Sequence, residues 1–129
     1  MSDINEKFEE FKNTKDTTKD FFPDDIKNNN SMAALAYLSW LVLIPLIFAK
    51  DSPYARYHVN QGLVLAIAET IGIMAFNIVA WVPFMGFVAV PAEIIFGLLC
   101  LILAIIGIIN AVDGRARELP IIGSVRIFK

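Results

Sequence analysis

The chain has 129 residues and a formal net charge of −2; 57% of it is hydrophobic, only 19% is charged, and the mean hydropathy is +0.60. Soluble domains average about 45–50% apolar and about 25% charged residues, so an ordinary soluble globule is excluded, and the acidic balance argues against nucleic acid as a partner. The single cysteine, Cys100, rules out an intramolecular disulfide.

Charge is concentrated at the start. Residues 1–31 hold eight of the thirteen acids and five of the eleven basic residues. This segment reads as an acidic, largely flexible N-terminal tail. Within it Ile4, Phe8 and Phe11 recur at i, i+4, i+7, the spacing of a short amphipathic helix. The stretch FFPDDIKNNNS at 21–31 reads as linker. An acidic, polar start does not fit a secretory or organellar leader.

From 32 to 112 the only formally charged residues are Lys50, Asp51, Arg56, Glu69 and Glu93. A membrane-spanning helix needs about 20 mostly apolar residues. Three stretches qualify: 32–49, 60–82 and 87–112. The expected fold class is therefore all-α, an integral membrane protein with three transmembrane helices. Its membrane domain covers 32–129 and ends in a basic tail. In the first span Trp40 sits too deep for an interfacial anchor, so its indole N–H needs an acceptor on another helix.

After KDSP, Ser52 is placed as an N-cap and Pro53 as the first helical residue. A helix from 53 to 82 is roughly 45 Å long, longer than the hydrocarbon layer of about 30 Å. Its first turns, YARYHVNQG at 54–62, therefore project into the headgroup zone. Tyr54, Arg56, Tyr57, His58, Asn60 and Gln61 form an expected interfacial junction, with tyrosines in the aromatic belt and Arg56 near phosphates. Asn60 and Gln61 have headgroups, the preceding loop or the C-terminal tail as available partners. His58 is the only histidine, too little for a metal site or a recognisable catalytic set, so no cofactor is expected.

The turn WVPFMG at 81–86 carries no charge. In the third span Gly86, Glu93, Cys100, Gly107 and Gly114 recur every seven positions, and Gly97, Ala104 and Ala111 form a second seven-residue series of small residues beside them. Small residues let helices approach closely in lipid, and this series marks a helix-packing seam. Glu69, Asn77 and Glu93 are intramembrane polar residues. Asn77 and Glu93 lie equally far from the turn, which predicts a hydrogen bond between them. Glu69 and Glu93 differ in depth by roughly 10 Å and do not look like a paired site. They are either neutral interhelical hydrogen-bonding groups or part of a proton- or ion-linked pathway. The basic residues of the 50–58 loop and of the tail place the C-terminus in the cytoplasm, and three spans place the N-terminus outside.

The segments MAALAYLSWLVLIPLIFAKDSPYARYHVNQGLVLAI and NAVDGRARELPIIG carry a resemblance. They resemble a family of small bacterial membrane proteins of unknown function, similar to the twenty-kilodalton subunit of the chloroplast inner-envelope import translocon. The resemblance implies a helical inner-membrane protein taking part in a protein-conducting or assembly complex. The sequence holds no phosphate loop, nucleophile elbow or cysteine pair, so no enzymatic activity is expected. The reading is a non-enzymatic scaffold or complex component in the bacterial inner membrane. Its expected partners are the bilayer and copies of itself or other membrane proteins. A small proton- or ion-linked transporter or channel subunit using Glu69 and Glu93 is the alternative.

Overall fold

The computed structural model describes residues 4, 6, 7, 15–123 and 125–127. Phe8 and Phe11, and with them the amphipathic pattern of the tail, lie outside the described residues. Four α-helices follow in order: α1 (Pro23–Leu35), α2 (Leu43–Phe48), α3 (Pro53–Ala80) and α4 (Gly86–Val112), with short 3-10 turns at Thr18–Asp20 and Ser39–Val42. Among the described residues the only β-type pairing is an isolated bridge between Asp16 and Arg117.

Two helices, α3 and α4, are long and apolar enough to cross a membrane, with mean hydropathies of 2.1 and 2.8 over their best windows. The expected third span at 32–49 is not one helix. Helix α1 begins inside the stretch expected to be linker, with Pro23 at its first position and Asp24 and Asp25 in its first turn, both favourable at a helix N-terminus. It stops at Leu35. Leu38 then leaves helical geometry (φ −97°, ψ 58°), and Ser39 takes a left-handed φ of 55°. The chain reverses there and returns through 39–48 to the level from which it started.

Contacts fix that path. At the outer end, Asp25 bonds to Ser52 and to the Tyr54 amide. Further in, the Ala36 carbonyl lies where a Cβ on Gly62 would be, 1.9 Å away, so only glycine allows this approach. At the reversal, Trp40 Nε1 donates to Thr70 Oγ1 at 3.0 Å, the acceptor on another helix that its depth required. Thr70 lies eight residues beyond Gly62, roughly 12 Å along α3. The 32–49 run is thus a helical hairpin that enters and leaves on one side.

The two tails meet on that side as well. Thr17 N donates to Ala116 O at 2.9 Å and Glu118 N to Lys15 O at 2.9 Å. The expected placement of the termini on opposite sides is therefore overturned. With two spanning helices rather than three, both ends emerge together. Opposite them, the 81–86 turn exposes Trp81 and Phe84 almost fully, as its uncharged aromatic sequence predicts.

Candidate functional site

Helix α3 opens with a doubly supported cap. Ser52 Oγ accepts from Ala55 N (3.1 Å) and donates to Asp25 Oδ1 (2.5 Å), while Asp25 Oδ2 accepts from Tyr54 N (2.9 Å). A carboxylate from α1 thus satisfies one of the N–H groups that the helix start leaves unpaired, and Ser52 satisfies another. Tyr54, His58 and Gln61 then follow at i, i+4, i+7, the spacing of one helix face. All three are fully buried, and Asn60 is nearly so.

This face makes a closed hydrogen-bond network with Tyr37 from the α1 end and with the C-terminal segment. A carbonyl can only accept, so the 3.0 Å contact from His58 Nε2 to Arg115 O places a proton on Nε2. Nδ1 is then the acceptor for the Tyr37 hydroxyl. That hydroxyl in turn accepts from Gln61 Nε2 at 2.9 Å, and Gln61 Oε1 accepts from Leu119 N at 2.5 Å. Tyr54 OH donates to Ala111 O (2.8 Å), a carbonyl of the last turn of α4 that also accepts from Gly114 N, and Asn60 Oδ1 accepts from Ile127 N (2.7 Å). The imidazole is enclosed edge-on by the rings of Tyr37, Tyr54 and Tyr57, with centroids 4.9–5.5 Å away. The histidine is neutral and protonated at Nε2, and both its nitrogens are bonded within the protein.

The junction residues therefore do not face headgroups as a group. Tyr54, His58, Asn60 and Gln61 turn inward because the C-terminal segment folds over them, and of the partners open to Asn60 and Gln61 it is this tail that takes them. Tyr57 is half-buried under the Arg126 guanidinium, 5.0 Å from its ring centre. Arg56 is also half-buried. Leu119 of the tail is buried in the core. Outside the node, Asp16 accepts from the Thr18 amide (2.9 Å) and hydroxyl. That hydrogen bonding, with help from Arg117, outweighs desolvation and lowers the Asp16 carboxyl below its ordinary 3.8.

Below the hairpin's apex lies a cavity of about 550 Å³, lined among others by Tyr37, Ser39, Glu69, Glu93, Gly97 and Cys100. Glu69 and Glu93, expected to be unrelated because of their depths, line the same space, although helix register keeps them roughly 10 Å apart in depth. The predicted Asn77–Glu93 bond does not form. Asn77 Nδ2 donates to Ile73 O of its own helix at 2.7 Å, which satisfies the amide locally, and Glu93 turns to the cavity. Among the described residues no group of three or more His, Cys, Asp or Glu could hold a metal ion.

The small-residue seam of α4 divides in two. At Gly107 a Cβ would meet the Tyr37 ring at 2.4 Å, so this glycine seats the tyrosine that serves the node. Cys100, Ala104 and Ala111 are buried beside it. Gly97, lower down, has no atom within 4 Å of a built Cβ, and Gly86 has only the Ala80 carbonyl at 3.9 Å. The hairpin fills the upper seam and ends before the lower one. Tyr37 escaped the sequence reading because an aromatic in an apolar run looks like lipid-facing surface; its signal was Gly107, small enough to receive it.

A helical hairpin with two membrane-crossing helices, a half-length hairpin beside it and polar groups gathered at one end defines a small membrane-associated helical protein. The family model of the magnetosome magnetite crystal formation proteins matches residues 28–128, and the chain belongs to that family. It is 33% identical over 97 residues to the magnetosome protein MmsF of Paramagnetospirillum magneticum, covering 73% of this chain and 81% of the relative. It is 30% identical over 95 residues to MamF of the same organism, covering 71% and 77%. With MamF of Magnetospirillum gryphiswaldense it shares 28% over 97 residues, covering 73% and 78%. No solved structure matches the chain.

These matches overturn the resemblance to relatives of the chloroplast import subunit. Tyr37, the 54–62 stretch and Leu119, which carried that resemblance, are the residues that build the node. They mark a packing arrangement rather than a translocation role. The family match likewise carries no support for ion transport.

Proposed function

We propose that the protein is a non-enzymatic scaffold of the membrane in which magnetite crystals form, and that the node is the clasp joining its tails to its spanning helices. The family's description supplies the process. The observation that carries the scaffold reading is the saturation of the node: both His58 nitrogens and both Gln61 side-chain polar atoms are bonded within the protein. Lys50, Arg56, Arg115, Arg117 and Arg126 gather at the end bearing the tails, and the 81–86 turn has no charge. By the positive-inside rule both tails are cytoplasmic, in the cell's inner membrane or in a magnetosome membrane. Partners are other membrane proteins or further copies, met through the lipid-facing surface.

The test is deletion of the gene in a magnetite-forming host, with crystals measured by electron microscopy. Altered crystals restored by the wild-type gene support the reading, and unaltered crystals refute it. His58→Gln separates scaffold from enzyme, because glutamine keeps hydrogen-bonding capacity but removes acid–base chemistry. Restoration by a folded His58→Gln variant fits a scaffold; failure of a folded one points to catalysis.

A further inference from the structure

The hairpin reaches only part of the way through the molecule, and this makes the protein's cross-section unequal at its two ends. Helix α3 has 28 residues, roughly 42 Å, against a hydrocarbon layer of about 30 Å. The excess lies at the polar end, so the hydrocarbon-spanning part runs from about Gly62 to Ala80. The apex at Ser39 and Trp40 meets α3 at Thr70, near the middle of that span. On the tail side of this level four chain segments lie side by side: residues 36–38 leading in from α1, the returning 39–48 arm, α3 and α4. Beyond it, among the described residues, only α3 and α4 continue.

The returning arm is built to face lipid. Leu41, Leu43, Ile44, Ile47 and Phe48 are exposed, whereas Val42 and Pro45 between them are buried. A ten-residue apolar segment is too short to span and lies in one leaflet. Each helix is roughly 10–12 Å wide, so the protein occupies about twice the area in the tail-side leaflet as in the other. In the far leaflet nothing among the described residues replaces the missing segments: Gly97 is open, and the cavity begins directly beneath the apex.

We propose that the protein is a wedge that recognises bilayer curvature, its partner being a strongly curved membrane whose tail-side leaflet is the convex one. A convex leaflet offers more area per inserted protein than the concave leaflet opposite it, which matches four segments against two. The wedge rests on the path of residues 32–49 and on the two tails sharing a side, and it is independent of the crystal-forming role.

The experiment reconstitutes the full chain into phosphatidylcholine–phosphatidylglycerol vesicles extruded to graded diameters and measures protein per lipid in each size class. Several-fold enrichment in the smallest vesicles, with tails outward, is expected; equal density across sizes, or enrichment with tails inward, overturns the proposal. Sidedness is read in a Cys100→Ala background by labelling Asp20→Cys and Asp113→Cys with a membrane-impermeant maleimide. Labelling of the two from opposite sides also overturns it. Ile44→Lys with Ile47→Lys places charge on exposed positions of the returning arm and draws it out of the leaflet. Size sorting should then fall toward none while the tails stay on one side, and sorting that persists at the wild-type level rejects the hairpin as its source.

Discussion

The node's contribution is measured most directly by Gln61→Leu. Leucine is apolar and similar in volume, so packing at this fully buried position is largely kept. Three polar contacts are lost: the donation to Tyr37 OH at 2.9 Å, the weaker one to Arg117 O at 3.4 Å, and acceptance from Leu119 N at 2.5 Å. The Tyr37 hydroxyl keeps His58 as an acceptor, but the Leu119 N–H is left buried without a partner. An unsatisfied buried donor costs about 1–3 kcal/mol. The segment from Arg115 onward should therefore detach more easily by about 2 kcal/mol, roughly a 30-fold rise in its open population. Limited trypsin digestion in detergent reads this at Arg115 and Arg117, and exchange at the Leu119 amide reads it independently. The variant should be cut many-fold faster than wild type, while α3 and α4 stay intact. Unchanged cleavage and exchange would mean that the Gln61 contacts do not hold the tail.

Two seam glycines should behave oppositely. Gly107→Leu drives a side chain into the Tyr37 ring and should destabilise by at least the 1–3 kcal/mol typical of overpacking, whereas Gly97→Leu enters open space and should stay within about 0.5 kcal/mol; thermal unfolding in detergent compares them. Trp40→Phe removes the single bond to Thr70 and should cost only about 0.6 kcal/mol, the usual size of a hydrogen bond between helices in a membrane, detectable as a small shift in the same assay. Asp16 is held below its ordinary 3.8 mainly by Thr18, so its contribution to pairing 15–18 with 116–118 is present above about pH 4 and lost as pH falls through the lowered value. Protection of the Thr17 amide, taken relative to its intrinsic exchange rate at each pH, should fall in acid and fall less in Asp16→Asn, and an equal response in both would reject that linkage.

The two spanning helices were legible because each holds apolar residues over a length that nothing interrupts, and Ser52 and Pro53 mark the start of α3 as their chemistry requires. The third span was misread for the same reason. Residues 32–49 satisfy length and hydropathy, which record preference for lipid but not the path taken through it. The reversal is set by Leu38 and Ser39, neither of them a glycine or proline. What makes a left-handed Ser39 tolerable is non-local: Tyr37 seated on Gly107, Ala36 against Gly62 and Trp40 bonded to Thr70. The expected Asn77–Glu93 bond failed differently. A carbonyl one turn back on its own helix takes the Asn77 amide, while Glu93 lines the cavity.

The junction shows why polarity alone did not reveal its role. A cluster of arginine, histidine, asparagine and glutamine between two apolar runs has three physical outlets: water, headgroups or the protein's own backbone. The first two leave side chains exposed and conformationally free. The third requires a segment with unsatisfied carbonyls and N–H groups within reach, and residues 110–119 supply one as α4 ends. Tyr54 bonds the carbonyl of Ala111, His58 that of Arg115, and Gln61 the amide of Leu119. In lipid such groups would each cost several kcal/mol unpaired, and in water they would bond solvent. Placed at the boundary and covered by the tail, they let the last turn of α4 end inside the protein, and they fix both tails to the side from which the half-length hairpin enters.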